Sequence, residues 1–347
     1  MAQSQEINDN NAIRQPSNVN SVIDMRNVSK HFGDKVAVND MTLTVPEGQI
    51  FGLVGPSGCG KTTTIRMLTG VYVPTHGELK VLGETPQTFD RHARERIGYM
   101  PQLFVLYPTL TVWENLNFVA SMYGLLWWRR RQRLNDLLDF VQLSAARNTL
   151  AGDISGGMKR RLELACALVH NPELLFADEP TAGVDPVLRG KFWEHFRELK
   201  QQGHSLLITT QYVGEVAYCD QVAVMRNGRL LMFDTPIALR RQALGGEIIR
   251  LSVDMEDEMK ARQIAHDLPF VQRTTRPNGT PAGTLDLLVD DASARLTEVI
   301  GRITGDPTID MRNVEEYQPP FDDVFITLMH QAAAADPESA EKEIVDA

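Results

Sequence analysis

The stretch that decides the fold is GPSGCGKTT, residues 55–63. It follows the continuous apolar run QIFGLV, residues 49–54, which is typical of a strand buried on both faces. A helical pattern begins at Lys61. The stretch fits G-x-x-x-x-G-K-[ST], which indicates a phosphate-binding loop when it lies between a strand and a helix. A glycine-rich turn that binds nothing is the alternative interpretation, and this setting argues against it.

Each residue type in the loop suits the binding of phosphate groups. Glycines allow backbone N–H groups to converge on the α- and β-phosphates, Lys61 reaches the β- and γ-oxygens, and the Thr62 hydroxyl holds Mg²⁺. Lys61 is therefore also a candidate catalytic residue. The residues expected to bind the nucleotide here are Gly55, Pro56, Ser57, Gly58, Cys59, Gly60, Lys61, Thr62 and Thr63.

Two adjacent carboxylates end another apolar run, LLFADEP, residues 174–180. Asp178 can hold Mg²⁺ through water, and Glu179 can orient or deprotonate the attacking water. A solvated turn is the alternative interpretation of two neighbouring acids. The phosphate loop in the same chain favours the catalytic interpretation.

A second glycine-backed helix start is ISGGMKRR, residues 154–161. Lys159, Arg160 and Arg161 in its first turn oppose the partial positive charge of the helix N-terminus, at a cost of some tenths of a kcal/mol each. The arrangement is understandable if a polyanion docks there. If each helix packs in its own subdomain, this one cannot wrap the phosphates held by the first loop. We therefore expect it to face a nucleotide held by another subunit.

Together these motifs resemble those of the ATP-binding cassette (ABC) ATPases, over about residues 21–240. ISGGMKRR is similar to the signature loop of that family, and Gln102 in PQ, the acids of DEP and Asp185 in TAGVDP follow in the family's order and approximate spacing. The resemblance implies an α/β P-loop NTPase domain with a helical subdomain, which binds and hydrolyses ATP with Mg²⁺. It places Asp185 among the nucleotide-binding residues.

The resemblance also implies a head-to-tail dimer that closes on two ATP molecules. In such a dimer Ser155, Gly156 and Gly157 lie at the nucleotide of the other subunit, with Ser155 and Gly157 touching the γ-phosphate. A homodimer is favoured, and a heterodimer with a paralogue is the alternative. Phe32 in KHFG is implied to stack on adenine, whereas the residue by itself could equally be a core aromatic. Gln102 is implied to ligate Mg²⁺ and to sense a transmembrane partner.

Two positions depart from the family's pattern. Met158 stands where the family usually has glutamine, and Gln211 in ITTQYVGEV stands where it typically has a histidine that faces the γ-phosphate. A glutamine amide donates a hydrogen bond but cannot titrate. We expect hydrolysis to survive, with Gln211 positioning the γ-phosphate while Glu179 acts on water. A silent loop glutamine is the alternative.

In TTQY and in the C-terminal FDDVFITL the chain also resembles one branch of this family, the daunorubicin-type drug-resistance exporters. The expected function is the ATP-hydrolysing subunit that powers export of an amphiphilic compound, drug or lipid through a separate transmembrane permease subunit. A soluble ABC ATPase acting on ribosomes or DNA is one alternative. One cassette and the lack of sustained heptads argue against it. An importer ATPase with a regulatory C-terminal domain is another.

Composition narrows the partners and the location. The chain has 347 residues, of which 43% are hydrophobic and 23% charged, a globular balance that favours two domains. A net charge of -10 argues against nucleic acid as a partner. Three cysteines without paired spacing suit a reducing compartment, and neither a secretory signal nor 18 consecutive apolar residues is apparent. We expect a peripheral position at the cytoplasmic face of the cell membrane, through a membrane partner.

The domain organisation follows from changes of pattern along the chain. Residues 21–245 predict the ATP-binding domain, in which about 103–170 are mainly helical and form the expected docking surface for the membrane subunit. Residues 246–331 predict a small α+β domain of β-α-β-β-α-β order, the ferredoxin-like arrangement. Residues 1–20 and the acidic segment 332–347 predict disordered tails.

Cys59 lies within the phosphate loop at a helix N-terminus, a position that lowers the pKa of a thiol. This predicts labelling by maleimide that ATP suppresses. A buried, inert thiol is the alternative.

Overall fold

The computed structural model describes residues 20–277 and 279–335, and it divides into a unit that ends at Thr235 and a unit that begins at Pro236. The strands of the first unit are β1 (Ser21–Phe32), β2 (Lys35–Pro46), β3 (Ile50–Val54), β4 (His76–Val81), β5 (Ile97–Met100), β6 (Leu174–Asp178), β7 (Ser205–Thr210), β8 (Gln221–Arg226) and β9 (Arg229–Asp234). Its helices are α1 (Lys61–Leu68), α2 (Arg91–Glu95), α3 (Val112–Met122), α4 (Trp127–Phe140), α5 (Gly156–Leu168) and α6 (Pro186–Gln201). Short 3₁₀ turns span Pro86–Thr88, Ser144–Ala146 and Val213–Tyr218.

A six-stranded sheet of order β5-β6-β7-β3-β8-β9 forms the centre of the first unit. Its strands are parallel except β9, which pairs antiparallel with β8. Every residue of β3, β6 and β7 is buried, which explains the apolar runs IFGLV, LLFA and LLI within them. Because these three strands are parallel neighbours, the residues that follow them meet at one edge of the sheet. Gly55, Glu179 and Gln211 occupy those positions, at the edge where open α/β sheets bind ligands.

A second, antiparallel sheet of order β2-β1-β4 shares a core with the first. Helix α1 contacts β6 of the parallel sheet as well as β2 and β4 of the antiparallel one. Ile65 and Leu68 of α1 join Phe51 from β3 and Leu43 from β2 in one buried cluster. The helix that follows the phosphate loop is therefore held from two sides.

Helices α3, α4 and α5 form the helical part of this unit, and each contacts the other two. Thr111 and Glu114 form a reciprocal capping box at the start of α3. In α3, Val112 and Leu116 are buried, and Tyr123 directly after the helix is half-buried, with the centroid of its ring 3.7 Å from that of the stacked His170 ring. The predicted helical segment 103–170 begins later than expected, because residues 103–110 adopt no helix or strand.

The elements of the second unit are α7 (Pro236–Leu244), β10 (Glu247–Val253), α8 (Glu258–His266), β11 (Val271–Thr275), β12 (Thr284–Val289), α9 (Ala292–Thr304), β13 (Met311–Tyr317) and α10 (Phe321–Ala335), with a 3₁₀ turn at Met255–Asp257. The sheet is antiparallel, of order β11-β12-β10-β13. This is the ferredoxin-like order that the sequence predicts. Alternate residues of β10 and β12 pack with α8 and α9 in one buried cluster, which includes Leu251, Leu287, Ala261 and Val299.

The boundary of the second unit differs from the sequence-based one. The structure divides before α7, whereas the sequence predicts the boundary after residue 245, because α7 packs against α10 at the end of the chain. Helix α10 runs to Ala335 and so extends into the predicted tail 332–347. The predicted tail segments 1–19 and 336–347 lie outside the described residues. No helix within residues 20–277 or 279–335 is long and apolar enough to cross a membrane.

Candidate active site

The phosphate loop lies between β3 and α1, as the sequence predicts. Gly58 and Gly60 have φ values of 79° and 113°, in the left-handed region that favours glycine. A Cβ on Gly60 would lie 2.4 Å from the Ala37 carbonyl oxygen, and one on Gly55 would lie 2.2 Å from that of Met225. Side chains at these positions would displace the loop, so the glycines fix the cradle that a phosphate chain requires.

Lys61 extends from the first turn of α1 and is buried. Its Nζ donates to the carbonyl oxygens of Gly55 at 2.8 Å and Pro56 at 3.0 Å. The same Nζ lies 3.3 Å from Oε1 of Glu179. The ammonium group is thus held inside the loop, beside the carboxylate that follows β6.

Glu179 is fixed at its side chain and at its backbone. Its Oε2 accepts from Nε2 of Gln102 at 2.9 Å, and its N–H donates to Thr209 Oγ1 at 2.9 Å. Its φ of 47° is uncommon for a residue other than glycine and is a strained conformation. The structure therefore brings Lys61, Gln102 and Glu179 together, three of the residues that the sequence places in the site.

Asp178 offers an oxygen site beside them. Its Oδ1 accepts from Thr209 Oγ1 at 2.6 Å and from Thr62 Oγ1 at 3.3 Å. Its Oδ2 is buried without a hydrogen-bond partner among the described residues. Burial raises the pKa of the Asp178 carboxyl, and the two hydroxyl donors only partly offset this effect.

The unpartnered oxygen of Asp178 is a place for a cation. Within the described ranges, no cluster of three or more His, Cys, Asp or Glu side chains is placed to hold a metal. The donors present are instead the Thr62 hydroxyl, the Asp178 carboxylate and the Gln102 amide. Such a set suits Mg²⁺, a hard cation that takes few protein ligands and completes its shell with phosphate oxygens and water. The residues therefore fit the ion.

The basic turn of α5 differs from the sequence-based interpretation. Arg160 is buried and bonds to the carbonyl oxygens of Pro101 and Glu179 and to the Glu163 carboxylate. Arg161 donates to the carbonyl oxygens of residues 141 and 142, and Lys159 donates to that of residue 152. Each of these three cations is bound to acceptors of its own chain, so their presence in this turn does not require a polyanion, and docking of an anion at the turn stays a prediction.

The N-terminus of α5 itself remains open. Ser155 caps the helix by accepting from the Met158 N–H at 3.3 Å, and both Ser155 and Gly156 are exposed. A Cβ on Gly157 would lie 2.2 Å from Cδ2 of Leu188 in α6. Asp185 caps α6 by accepting from the N–H groups of Val187 and Leu188, both at 3.0 Å, so its carboxylate has a structural role. The exposed backbone of residues 155–157 is what this turn presents to an anion.

Phe32 and Gln211 lie on the surface. Phe32 is 43% exposed, so it is not a core aromatic, and its ring meets that of Tyr72 edge to face at 5.2 Å. Gln211 follows β7 directly, is exposed, and its side chain makes no hydrogen bond to another described residue. Both side chains are available to a ligand.

The structure contradicts the low thiol pKa expected at Cys59. The residue is 4% exposed, and burial raises the pKa of its thiol more than Lys61 lowers it. A Cβ on Gly55 would lie 2.7 Å from the Cys59 sulfur, which shows that the thiol points into the loop. Ser57 and Gly58 at the tip of the loop are exposed instead.

Sequence reasoning missed two residues that fix the site. Thr209 bonds both to Asp178 and to the backbone of Glu179. The buried Glu215 carboxylate accepts from Thr181 and Thr210 at 2.6 Å each, and so it ties together the segments that carry residues 179 and 211. The sequence signal for these contacts was the pair Thr209 and Thr210 at the end of β7. Their hydroxyls donate hydrogen bonds to the buried carboxylates of Asp178 and Glu215.

Comparisons with known proteins agree with this geometry. The profile of the ABC transporter family matches residues 38–182. The Nod factor export ATP-binding protein I of Burkholderia lata is 41% identical over 244 residues, which are 69% of this chain and 80% of that protein. The probable multidrug ABC transporter ATP-binding protein YbhF of Escherichia coli is 37% identical over 247 residues, but the match spans only 42% of its length and 71% of this chain.

Solved structures give the same result for the fold. A structure described as the ATP-binding subunit of an ABC transporter superposes with a TM-score of 0.59 at 30% identity, covering 64% of this chain and 93% of that one. The dimeric cassette MJ0796, in a post-hydrolysis state with ADP and Pi, gives a TM-score of 0.57 at 25% identity and covers 61% of this chain and 98% of its own.

Proposed function

The chain belongs to the ABC transporter family as an ATP-binding subunit, and we propose that it hydrolyses ATP to power export of an amphiphilic compound, drug or lipid through a separate transmembrane subunit. One observation supports hydrolysis most directly. The Lys61 ammonium lies 3.3 Å from Oε1 of Glu179, and the Gln102 amide donates to Oε2 of the same carboxylate at 2.9 Å. A phosphate loop, a fixed carboxylate and an amide at one sheet edge are the parts that transfer of a phosphoryl group to water requires.

ATP binding exchanges the partners of Lys61. The β- and γ-phosphate oxygens replace the loop carbonyls and the Glu179 carboxylate as acceptors for its ammonium group. Glu179 is then free to orient the attacking water or to accept its proton, while Gln102 and the backbone contacts keep the carboxylate in place. Gln211 donates its amide hydrogen to the γ-phosphate. Thr62, Asp178 and Gln102 would hold Mg²⁺, which supplies charge neutralisation of the phosphate oxygens.

A second protomer completes each site. The exposed backbone N–H groups of residues 155–157 form the open end of α5, where a phosphate is favoured. We infer that the nucleotide they contact is the one held by the phosphate loop of the other protomer. Phe32 stacks on adenine, and Asp185 fixes α6 beside the same interface. A homodimer is the simpler form.

The membrane subunit docks on the segment that follows Gln102. Leu103, Phe104, Val105 and Tyr107 are all exposed, in a stretch of no regular structure. A run of exposed apolar side chains beside a catalytic amide is suited to sensing a partner. The relatives named for multidrug transport and for Nod factor export support export over import. We propose that the chain acts at the cytoplasmic face of the membrane, as a peripheral subunit.

The test is hydrolysis of ATP by the purified full chain with Mg²⁺. Glu179→Gln is expected to lower kcat by about a hundredfold or more while ATP binding persists. Glu194→Gln, an exposed acid of α6, is the matched control and is expected to hydrolyse ATP like the parent. Equal rates for all three proteins would refute the proposal. Recovery with a polytopic membrane protein supports transport, and recovery with ribosomes supports the soluble alternative.

A further inference from the structure

Arg160 joins three parts of the first unit that the sequence separates. Its Nη2 donates to the carbonyl oxygen of Glu179 at 3.0 Å, and its Nη1 donates to the carbonyl oxygen of Pro101 at 2.8 Å and to the Glu163 carboxylate at 2.9 Å. Its side chain is 4% exposed. A buried guanidinium bound to two backbone carbonyls and one carboxylate has little freedom to move.

The partner of Arg160 on the same helix extends this connection. Glu163 Oε1 accepts from the Val105 N–H at 3.0 Å, so its carboxylate bridges Arg160 and the exposed segment after Gln102. The Arg160 guanidinium also lies 5.3 Å from the ring centroid of Phe104. Burial raises the pKa of Glu163, and Arg160 opposes this rise. The first turns of α5 therefore hold residues 101–105 and Glu179 together.

The two ends of this connection belong to different nucleotides, which is a statement that rests on the proposed function. Glu179 acts in the site of its own phosphate loop. The N-terminus of α5, one turn before Arg160, lies in the site built on the other protomer's loop. A shift of α5 on contact with that second nucleotide moves Arg160, and with it the carbonyl of a residue whose φ is already strained at 47°.

We infer that Arg160 is a positioning residue that couples the two composite sites of the dimer. Through Arg160, the helix that contacts one nucleotide sets the position of the carboxylate that acts on the other. The guanidinium suits this role because it bonds to the backbone of Glu179 and leaves the side chain free for water. The same bonds transmit a displacement of residues 101–105 by the membrane subunit.

The test isolates turnover at one site, in the complex of two differently tagged chains with the membrane subunit. The second chain carries either Glu179→Gln, which leaves its site filled with ATP, or Lys61→Ala, which leaves it unfilled. The first chain is the parent, Arg160→Met or Lys159→Met. Lys159 is the matched control because it lies in the same turn and its side chain, among the described residues, donates only to the Gly152 carbonyl.

The readout compares ATP turnover by the first chain in two complexes. It is the turnover measured beside the Glu179→Gln chain, whose site is filled, divided by the turnover measured beside the Lys61→Ala chain, whose site is unfilled. For the parent and for Lys159→Met we expect a ratio of about tenfold, within the usual range of coupling between sites. For Arg160→Met we expect a ratio near one, with the KM for ATP within about twofold of the parent, since Arg160 does not touch nucleotide. A merely structural role would lower both rates by one factor and preserve the ratio, and that result overturns the inference.

Two further variants guard against a folding defect. Arg160→Lys keeps the charge but replaces the planar fork, whose Nη1 and Nη2 reach Pro101 and Glu179 separately, with a single ammonium group, so it is expected to restore folding without the full ratio. Glu163→Gln is expected to reduce the ratio by loosening residues 101–105. If the parent complex itself hydrolyses no ATP, the proposed function fails; if the parent is active and coupled and both Arg160 variants retain its ratio, only the inference fails.

Discussion

Lys61 and Glu179 form a buried ion pair, with 3.3 Å between Nζ and Oε1 and with only 3% and 8% of their side chains exposed. Lys61 begins α1, after the loop that follows β3, and Glu179 directly follows β6. The ion pair therefore joins the phosphate loop to the end of β6 in the absence of nucleotide. Loss of one partner leaves the other charge buried and uncompensated, which is more costly than loss of both.

This pair makes a prediction for the stability of the nucleotide-free chain. Lys61→Met is expected to lower the free energy of unfolding by about 3 kcal/mol. Glu179→Gln alone costs less, because Lys61 keeps its two carbonyl acceptors. The double variant is expected to be more stable than the sum of the single effects predicts. Urea unfolding of the four proteins measures this, with exposed Lys80→Met as the control; strict additivity would show that the two groups do not interact.

The Asp178 carboxylate, a proposed ligand of Mg²⁺, is expected to lower the free energy of unfolding of the chain at pH 7. Its carboxyl pKa is raised by burial, so the folded chain binds the proton more tightly than the unfolded chain does. The folded state is therefore penalised above the unfolded value of about 3.9, and the penalty disappears as the pH falls below it. Asp178→Asn is expected to raise the melting temperature at pH 7 by about 2–4 °C and to abolish Mg²⁺-dependent hydrolysis.

The sign of the pH dependence checks the cause. The advantage of Asp178→Asn over the parent in the free energy of unfolding should shrink as the pH is lowered towards 4, since the parent carboxyl then takes up its proton. Thermal unfolding at several pH values provides the measurement, and Asp153→Asn, an exposed acid, is the control. A parent that is more stable than Asp178→Asn at pH 7 would show that the hydroxyl donors outweigh desolvation.

The sequence predicted the elements that have a short, local cause. The phosphate loop requires glycine at fixed positions, and β3 and the first four residues of β6 are apolar runs because both faces of these strands are covered, so both features were predicted from the sequence. The β-α-β-β-α-β order of elements in the C-terminal unit was also predicted from the sequence. These features depend on neighbours within a few residues.

The sequence did not predict which way side chains turn. The sequence shows that Arg160 and Arg161 are cations near the start of a helix, but not whether their side chains point to solvent or to the protein interior. The hydrogen bonds of Arg160 to the carbonyls of residues 101 and 179 show that its side chain points inward. The thiol of Cys59 likewise has a helix N-terminus beside it and a raised pKa, because burial outweighs the charge of Lys61 and the backbone hydrogen bonds to the sulfur. Helix α7 belongs to the second unit because it packs against α10, which lies at the other end of that unit in the sequence. Such outcomes rest on tertiary contacts.

Gln211 gives a prediction on hydrolysis and its pH dependence. Gln211→Ala is expected to lower kcat by about tenfold or more, because one donor to the γ-phosphate is lost. Gln211→His is expected to retain turnover and to gain an inflection near pH 6.5 that the parent lacks, since imidazole titrates there and an amide does not. Gln201→Ala, at the exposed end of α6, is the control. If Gln211→Ala hydrolyses ATP as fast as the parent, the residue is a silent loop glutamine.

The cysteines give a prediction on chemical reactivity. Burial raises the thiol pKa of Cys59 and Cys219, and that of Cys166 to about 12, so few thiolates exist at pH 7. Labelling of the native chain by maleimide is expected to be at least about tenfold slower than labelling of the urea-unfolded chain, with ATP making no difference. The Cys59→Ala variant identifies any labelling at the phosphate loop. Fast labelling that ATP suppresses and that Cys59→Ala abolishes would instead place a reactive thiolate at the nucleotide, as the sequence predicted, and would mean that the loop opens to solvent before ATP binds.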